Sequence, residues 1–264
     1  MRARIEVTMV VLMLRVLIAC GGSACGGGGG GGGDGGVGNG VQAGVVKGVV
    51  VDSQARPLPG AKINVCNPLY FDSCMTGQTG SDGRYSFDLP PVNVWKAYGY
   101  LTKAYNGKSY CLELRSDSTD SFSSKDGAVR NFEWKLTGLR PDSKTAQNEF
   151  LSFYGAAAAV RSEEYNNPVD LQYVQASFVP QGPLVDGTAG QAFSASAGNW
   201  NWNEIGDIPL GRYTVTADYA PPGAAKSALL VGTVSGQYAV SVVLDFPPPG
   251  SCVRPEAKIY VAFP

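Results

Sequence analysis

The 264-residue chain predicts an all-β protein, two antiparallel β-sandwiches after a disordered, glycine-rich tether. Three observations carry this. Charged residues are only 16%, and Gly, Ser, Thr, Asn, Tyr and Val fill the gap, a balance suited to short strands joined by many turns. Apolar residues recur in short alternating runs bounded by Gly and Pro. With an N-terminal leader set aside, enough chain remains for two domains of ordinary size, residues 45–140 and 150–264.

Residues 1–19 read as a signal peptide: Arg2 and Arg4 make a charged start, an apolar run from Val7 to Ile18 follows, interrupted at Arg15, and small residues come next. Leu17-Ile18-Ala19-Cys20 resembles the lipobox of bacterial lipoproteins. That resemblance implies acylation of Cys20, cleavage before it, and a membrane partner reached through the lipid. Cys25 lacks the preceding apolar position. Residues 20–44, with an unbroken glycine run from Gly26 to Gly33, are expected to be a disordered linker.

In the first domain Val45–Asp52 is rich in branched residues and reads as a strand. Ser53–Gly60, with two prolines, is a turn, and Ala61–Val65 alternates as a half-buried strand. Thr79–Gly83 is another turn. Arg84–Leu89 then places Tyr85, Phe87 and Leu89 on one face. Gly48–Asp52, Pro57-Leu58-Pro59-Gly60-Ala61, Thr79 and Asp82-Gly83-Arg84-Tyr85-Ser86-Phe87 together resemble the carboxypeptidase regulatory-like domain over residues 45–140. The resemblance implies a transthyretin-like (prealbumin-like) sandwich without peptidase chemistry of its own. Two departures are Ala55, where the family has glycine, and the long segment between Cys66 and Cys74.

In the second region Phe150–Arg161 contains Ala156–Ala159, helical by propensity but short enough for a strand, which is the reading preferred. Leu171–Val179, Gly211–Tyr219, Tyr238–Phe246 and Ala257–Phe263 read as strands. Asp207-Ile208-Pro209 echoes Asp88-Leu89-Pro90, so this region reads as a divergent second sandwich.

Function is first bounded by exclusion. The chain has no histidine, which removes the commonest general base, the commonest zinc ligand and every Ser-His-Asp or Cys-His arrangement. A net charge of −1 without a basic block argues against nucleic acid. No cofactor or metal site is expected; Arg115–Asp120 carries carboxylates but reads as a solvated loop. Cys66, Cys74, Cys111 and Cys252 form an even set in an exported chain, and three pairings are open. A hairpin favours Cys66–Cys74, which leaves Cys111 with Cys252. Trp200, Asn201 and Trp202 read either as an aromatic platform for a sugar or as indoles filling a core. The expected function is therefore a non-catalytic, envelope-anchored module, structural or adhesive, with a glycan or another envelope protein as possible partner. The alternatives are a carbohydrate-binding lipoprotein using Trp200, Trp202 or Trp95, and, more distantly, a hydrolase accessory protein.

Overall fold

The computed structural model describes residues 40–91, 94–141, 153–163, 166–197 and 203–264. Among these there is no α-helix; the chain is all-β. The leader, Cys20, Cys25 and the glycine run lie outside the described residues. Residues 42–44, expected within the linker, make backbone bonds to the first half. Gly44 N donates to the Ser124 carbonyl at 2.7 Å, and Val45 N donates to that of Gln42 at 3.1 Å, so backbone bonds hold residues 42–44.

The first half supplies β1 (Val45–Val51), β2 (Lys62–Cys66), β3 (Cys74–Gln78), β4 (Arg84–Asp88), β5 (Lys96–Tyr105), β6 (Lys108–Glu113), β7 (Arg115–Ser116), β8 (Ala128–Val129) and β9 (Phe132–Glu133). They form two sheets. One runs β4-β1-β9-β7 with β8 on β1, and the other runs β3-β2-β5-β6. Alternation places Val46, Val50, Ile63, Val65, Tyr85 and Phe132 in the core. The β5–β6 hairpin closes on Asn106 and Gly107, both at positive φ (47° and 73°), the requirement of a type I′ turn that follows the strand twist. Ala55 also sits in the left-handed region, at φ 60°. Its turn is held by Asp52, whose carboxylate accepts from Gln54 N and Arg56 N, each at 2.9 Å.

The second half supplies β10 (Ala156–Arg161), β11 (Val174–Pro180), β12 (Phe193–Ser196), β13 (Glu204–Ile208), β14 (Arg212–Tyr219), β15 (Ser227–Val234), β16 (Gln237–Ala239), β17 (Val242–Asp245) and β18 (Glu256–Ala262). They form one nine-stranded sheet in the order β12-β11-β14-β15-β18-β10-β13, with β16 on β15 and β17 on β14. β15 makes the corner: Ser227–Leu229 pair with β14, and Leu230–Gly232 pair with β18. A strand that changes partners folds one sheet into two layers.

The alanine run is a strand. Ala157–Arg161 pair in parallel with Glu256–Tyr260, and β13 flanks the other side. Burial on both faces overrides alanine's helix propensity. Two sequence expectations need correction. The strand expected from Leu171 begins at Val174, because Leu171–Tyr173 form a 3-10 turn capped by the Asp170 side chain. The single strand expected over Tyr238–Phe246 is divided: β16 pairs with β15 and β17 with β14, and the chain crosses between partners at Val240 and Ser241.

No sheet mixes strands of the two halves. Residues from 40 onward nevertheless form one compact unit, and one core cluster contains Tyr110 and Trp134 together with Leu210 and Phe246.

Candidate functional site

Two places gather uncommon chemistry: the seam between the halves, and the tip of the β2–β3 hairpin.

The seam is built from hydroxyls, one aspartate and one covalent bond. Tyr110, on β6, is buried and donates to the Phe246 carbonyl at 2.7 Å. Tyr105 Oη, at the end of β5, donates to the Pro183 carbonyl at 2.9 Å and accepts from Arg212 N at 3.1 Å. Beside Tyr110, Cys111 is joined to Cys252. Asp207 accepts from Gly138 N at 2.8 and 3.0 Å and from Gly155 N at 3.3 Å. Asp207 occupies positive φ (57°) where the β10–β13 register shifts. A Cβ on Gly155 would lie 2.6 Å from the Asp207 carbonyl carbon, so only glycine permits this approach. Burial raises the Asp207 carboxyl above its usual range, opposed by the two backbone donors. Arg140 pairs with Glu113 and also donates to the Phe153 carbonyl at 3.0 Å.

Two further ion pairs brace the second half. Arg254 meets Glu204 at 2.6 Å with both side chains almost wholly buried. Burial raises the Glu204 carboxyl, and Arg254 opposes that rise. Arg212 and Asp245 form a two-bond pair at 2.8 and 2.5 Å, and the hydrogen bond from Arg212 holds Asp245 below the usual carboxylate range. All of these contacts hold chain to chain.

At the hairpin tip, Cys66 and Cys74 face each other across β2 and β3 and are joined. Asn67, buried, shapes the loop between them. Its N–H donates to the Ser73 carbonyl at 2.8 Å, and its side-chain oxygen accepts from Leu69 N at 2.9 Å. Leu69, Tyr70 and Phe71 project from this loop with exposures of 73%, 65% and 104%. No other described stretch exposes three consecutive large apolar residues. Three such residues in a row inside a cysteine-bounded loop are the sequence signal of this tip.

Trp200, Asn201 and Trp202 lie outside the described residues. Trp95 is 3% exposed, which removes it as a sugar platform. In the Arg115–Asp120 segment Asp117 accepts from Asn131 Nδ2 at 2.8 Å. Among the described residues no group of three His, Cys, Asp or Glu side chains is placed to hold a metal ion. None of the described helices is long and apolar enough to cross a membrane.

The sequence matches no protein family and no curated protein. Among solved structures the chain is similar to the Bacillus anthracis TIE protein at 12% identity and a TM-score of 0.29, over 83% of this chain and 34% of that one. It is similar to a streptococcal ancillary pilin at 10% identity and 0.26, over 81% of this chain and 62% of the pilin. It is similar also to the shaft pilin spaA of Lactobacillus rhamnosus GG at 12% identity and 0.23, over 84% and 98%. The chain thus spans about a third and about three-fifths of the first two structures. Superpositions this loose carry no functional argument.

Proposed function

We propose that the chain is a non-catalytic structural or recognition module displayed outside the cytoplasm and held to a membrane through acylated Cys20. The observation that carries the reading is the Cys111–Cys252 bond across the seam. Disulfides persist in oxidising compartments, and this one ties together two halves that share no sheet. The polar groups at the seam support the same reading, because the hydrogen bonds of Tyr105, Tyr110 and Asp207 end on backbone atoms of the other half. A chain without histidine has few routes to acid–base chemistry at neutral pH.

The anchor supplies the location. One acyl chain binds a bilayer only marginally, whereas two or three hold it firmly, at about 0.8 kcal/mol per buried CH₂. Mass spectrometry of the protein made in a bacterial host is expected to show a mature N-terminus at Cys20 carrying diacylglycerol. Cys20→Ser is expected to lose the lipid and, with it, the mature end at residue 20. An unmodified Cys20, or a serine variant that stays on the membrane with the same mature end, would remove the anchor from this reading.

A further inference from the structure

The Leu69–Phe71 tip has two properties that seldom occur together on a surface: it is apolar, and it is already ordered. Three large side chains in sequence stand in solvent on a loop closed at its base by Cys66–Cys74 and braced from inside by Asn67. An exposed apolar cluster of this kind marks a contact surface. A braced loop has little conformational entropy left to lose on contact. The tip is convex, so what it meets must be concave or yielding.

The position of the tip selects between these. Gly44 N donates to the Ser124 carbonyl at 2.7 Å, and Trp95 N and Phe122 N exchange backbone bonds with each other's carbonyls at 2.8 and 2.9 Å. Trp95 precedes Lys96, which lies opposite Cys66 in the β2–β5 ladder. These bonds form a chain that places the entry of residue 44 and the hairpin tip at the same end of the first half. β1 and β4 agree, since Val45 at the start of β1 faces Asp88 at the end of β4. Residue 44, twenty-four positions after Cys20 in sequence, therefore lies at the end of the first half from which Leu69, Tyr70 and Phe71 project.

We propose that this tip inserts into the surface of the bilayer to which the chain is anchored, with Leu69 and Phe71 entering the acyl region and Tyr70 at the headgroup level. The proposal takes the side of approach from the anchor reading above, but insertion itself requires only the tip. Aromatic rings with a polar end favour the membrane–water interface, and a neighbouring anchor multiplies a weak contact by keeping its local concentration high. The only ionisable groups in the loop 67–73 are Tyr70 and Asp72, so the contact is apolar and nearly independent of salt.

The test uses the chain from residue 20 onward, without the leader and carrying Cys20→Ala, which cannot be acylated at that position, floated with phosphatidylcholine vesicles and, separately, with vesicles of mixed phosphatidylethanolamine and phosphatidylglycerol. Weak partition into both is expected, changed less than about twofold by a tenfold rise in salt. The triple variant Leu69→Ser, Tyr70→Ser, Phe71→Ser is expected to lose at least about tenfold in partition, with the melting temperature unchanged. Phe71→Trp gives a positive signal: brominated lipids should quench its fluorescence beyond the quenching of the parent with its four native tryptophans. No partition by the Cys20→Ala chain, equal partition by the triple variant, or a tip whose only effect is on self-association measured by sedimentation would overturn the proposal. Acylation of Cys20 is read separately by mass spectrometry, so a failed anchor and a failed tip give different results.

Discussion

The two disulfides of this protein join similar groups and do different things. Cys66 and Cys74 are 8 residues apart and close a hairpin already defined by its register. Cys111 and Cys252 are 141 apart and join β6 to the bend that precedes β18, in halves that share no sheet. In the chain-entropy account a cross-link restricts the unfolded ensemble more as the loop lengthens, giving about 2.5 kcal/mol for the short link and about 5 kcal/mol for the long one. The difference is also spatial. The short link shapes a surface, and the long one is shared by everything that crosses the seam. A bond's contribution follows from what the chain could otherwise explore, not from the bond itself.

The largest expected effect comes from removing the long link. Cys111→Ser with Cys252→Ser should lower the unfolding free energy by about 5 kcal/mol, read by denaturant titration. Amide exchange should accelerate on both sides of the seam. A loss under about 1 kcal/mol would mean that the tyrosine and aspartate contacts hold the halves unaided. Cys66→Ser with Cys74→Ser should cost about 2.5 kcal/mol, with faster exchange confined to residues 66–74. Acceleration spreading into β5 would erase the distinction between the links.

A smaller effect is expected at Asp207. Asp207→Ala leaves the Gly138 N–H without its acceptor and puts alanine at positive φ, for a loss of about 2 kcal/mol. Asp207→Asn keeps an acceptor and tolerates that backbone, so it should cost far less. Because burial raises the Asp207 carboxyl, the folded chain favours its protonated form. Its contribution is complete below the ordinary carboxylate range and is lost as pH rises through the raised value. Asp245 behaves oppositely. The Arg212 hydrogen bond lowers it, so its contribution is present above the ordinary range and is lost as pH falls through the lowered value. Stability of Asp207→Asn and Asp245→Asn relative to the parent should therefore drift with pH in opposite directions across the acidic range.

The smallest expected effect is a gain. Ala55→Gly relieves a left-handed alanine and should stabilise the chain by about 1 kcal/mol, seen as a modest rise in melting temperature. A fall would mean that the Asp52 brace has already made alanine comfortable in that turn.

Much of the fold was legible because strands with one buried face repeat every second residue. Arg84–Asp88 and Arg212–Tyr219 alternate, Val45–Val51 is rich in branched residues, and the structure keeps all three as strands. The alanine run was ambiguous since its residues are buried on both faces and carry no period. The broken strand at Val240 was invisible because a change of partner is a tertiary event; each fragment alternates acceptably on its own. Asn106-Gly107 is a hairpin signal too, but no strand was expected on either side of it, so β5 and β6 come from the structure alone. The seam groups were illegible for another reason. Tyr105, Tyr110 and Asp207 find partners 78, 136 and 69 positions away, and nothing local marks them.

The position of β18 sets an order in time. It lies between β15 and β10, and its pairing with β10 is parallel across about a hundred residues. β18 leaves the ribosome after every strand it must join, and crosses a membrane after them if export runs from the N-terminus. Until it arrives, β10 has an open edge, and Cys111 waits as a thiol for Cys252. Long-range parallel pairing is slow to form. The early closure of Cys66 with Cys74, neighbours in sequence, takes both out of reach before Cys111 can meet the wrong partner. The hairpin that shapes the tip therefore also guards the fidelity of the seam during the interval when the second half is still incomplete.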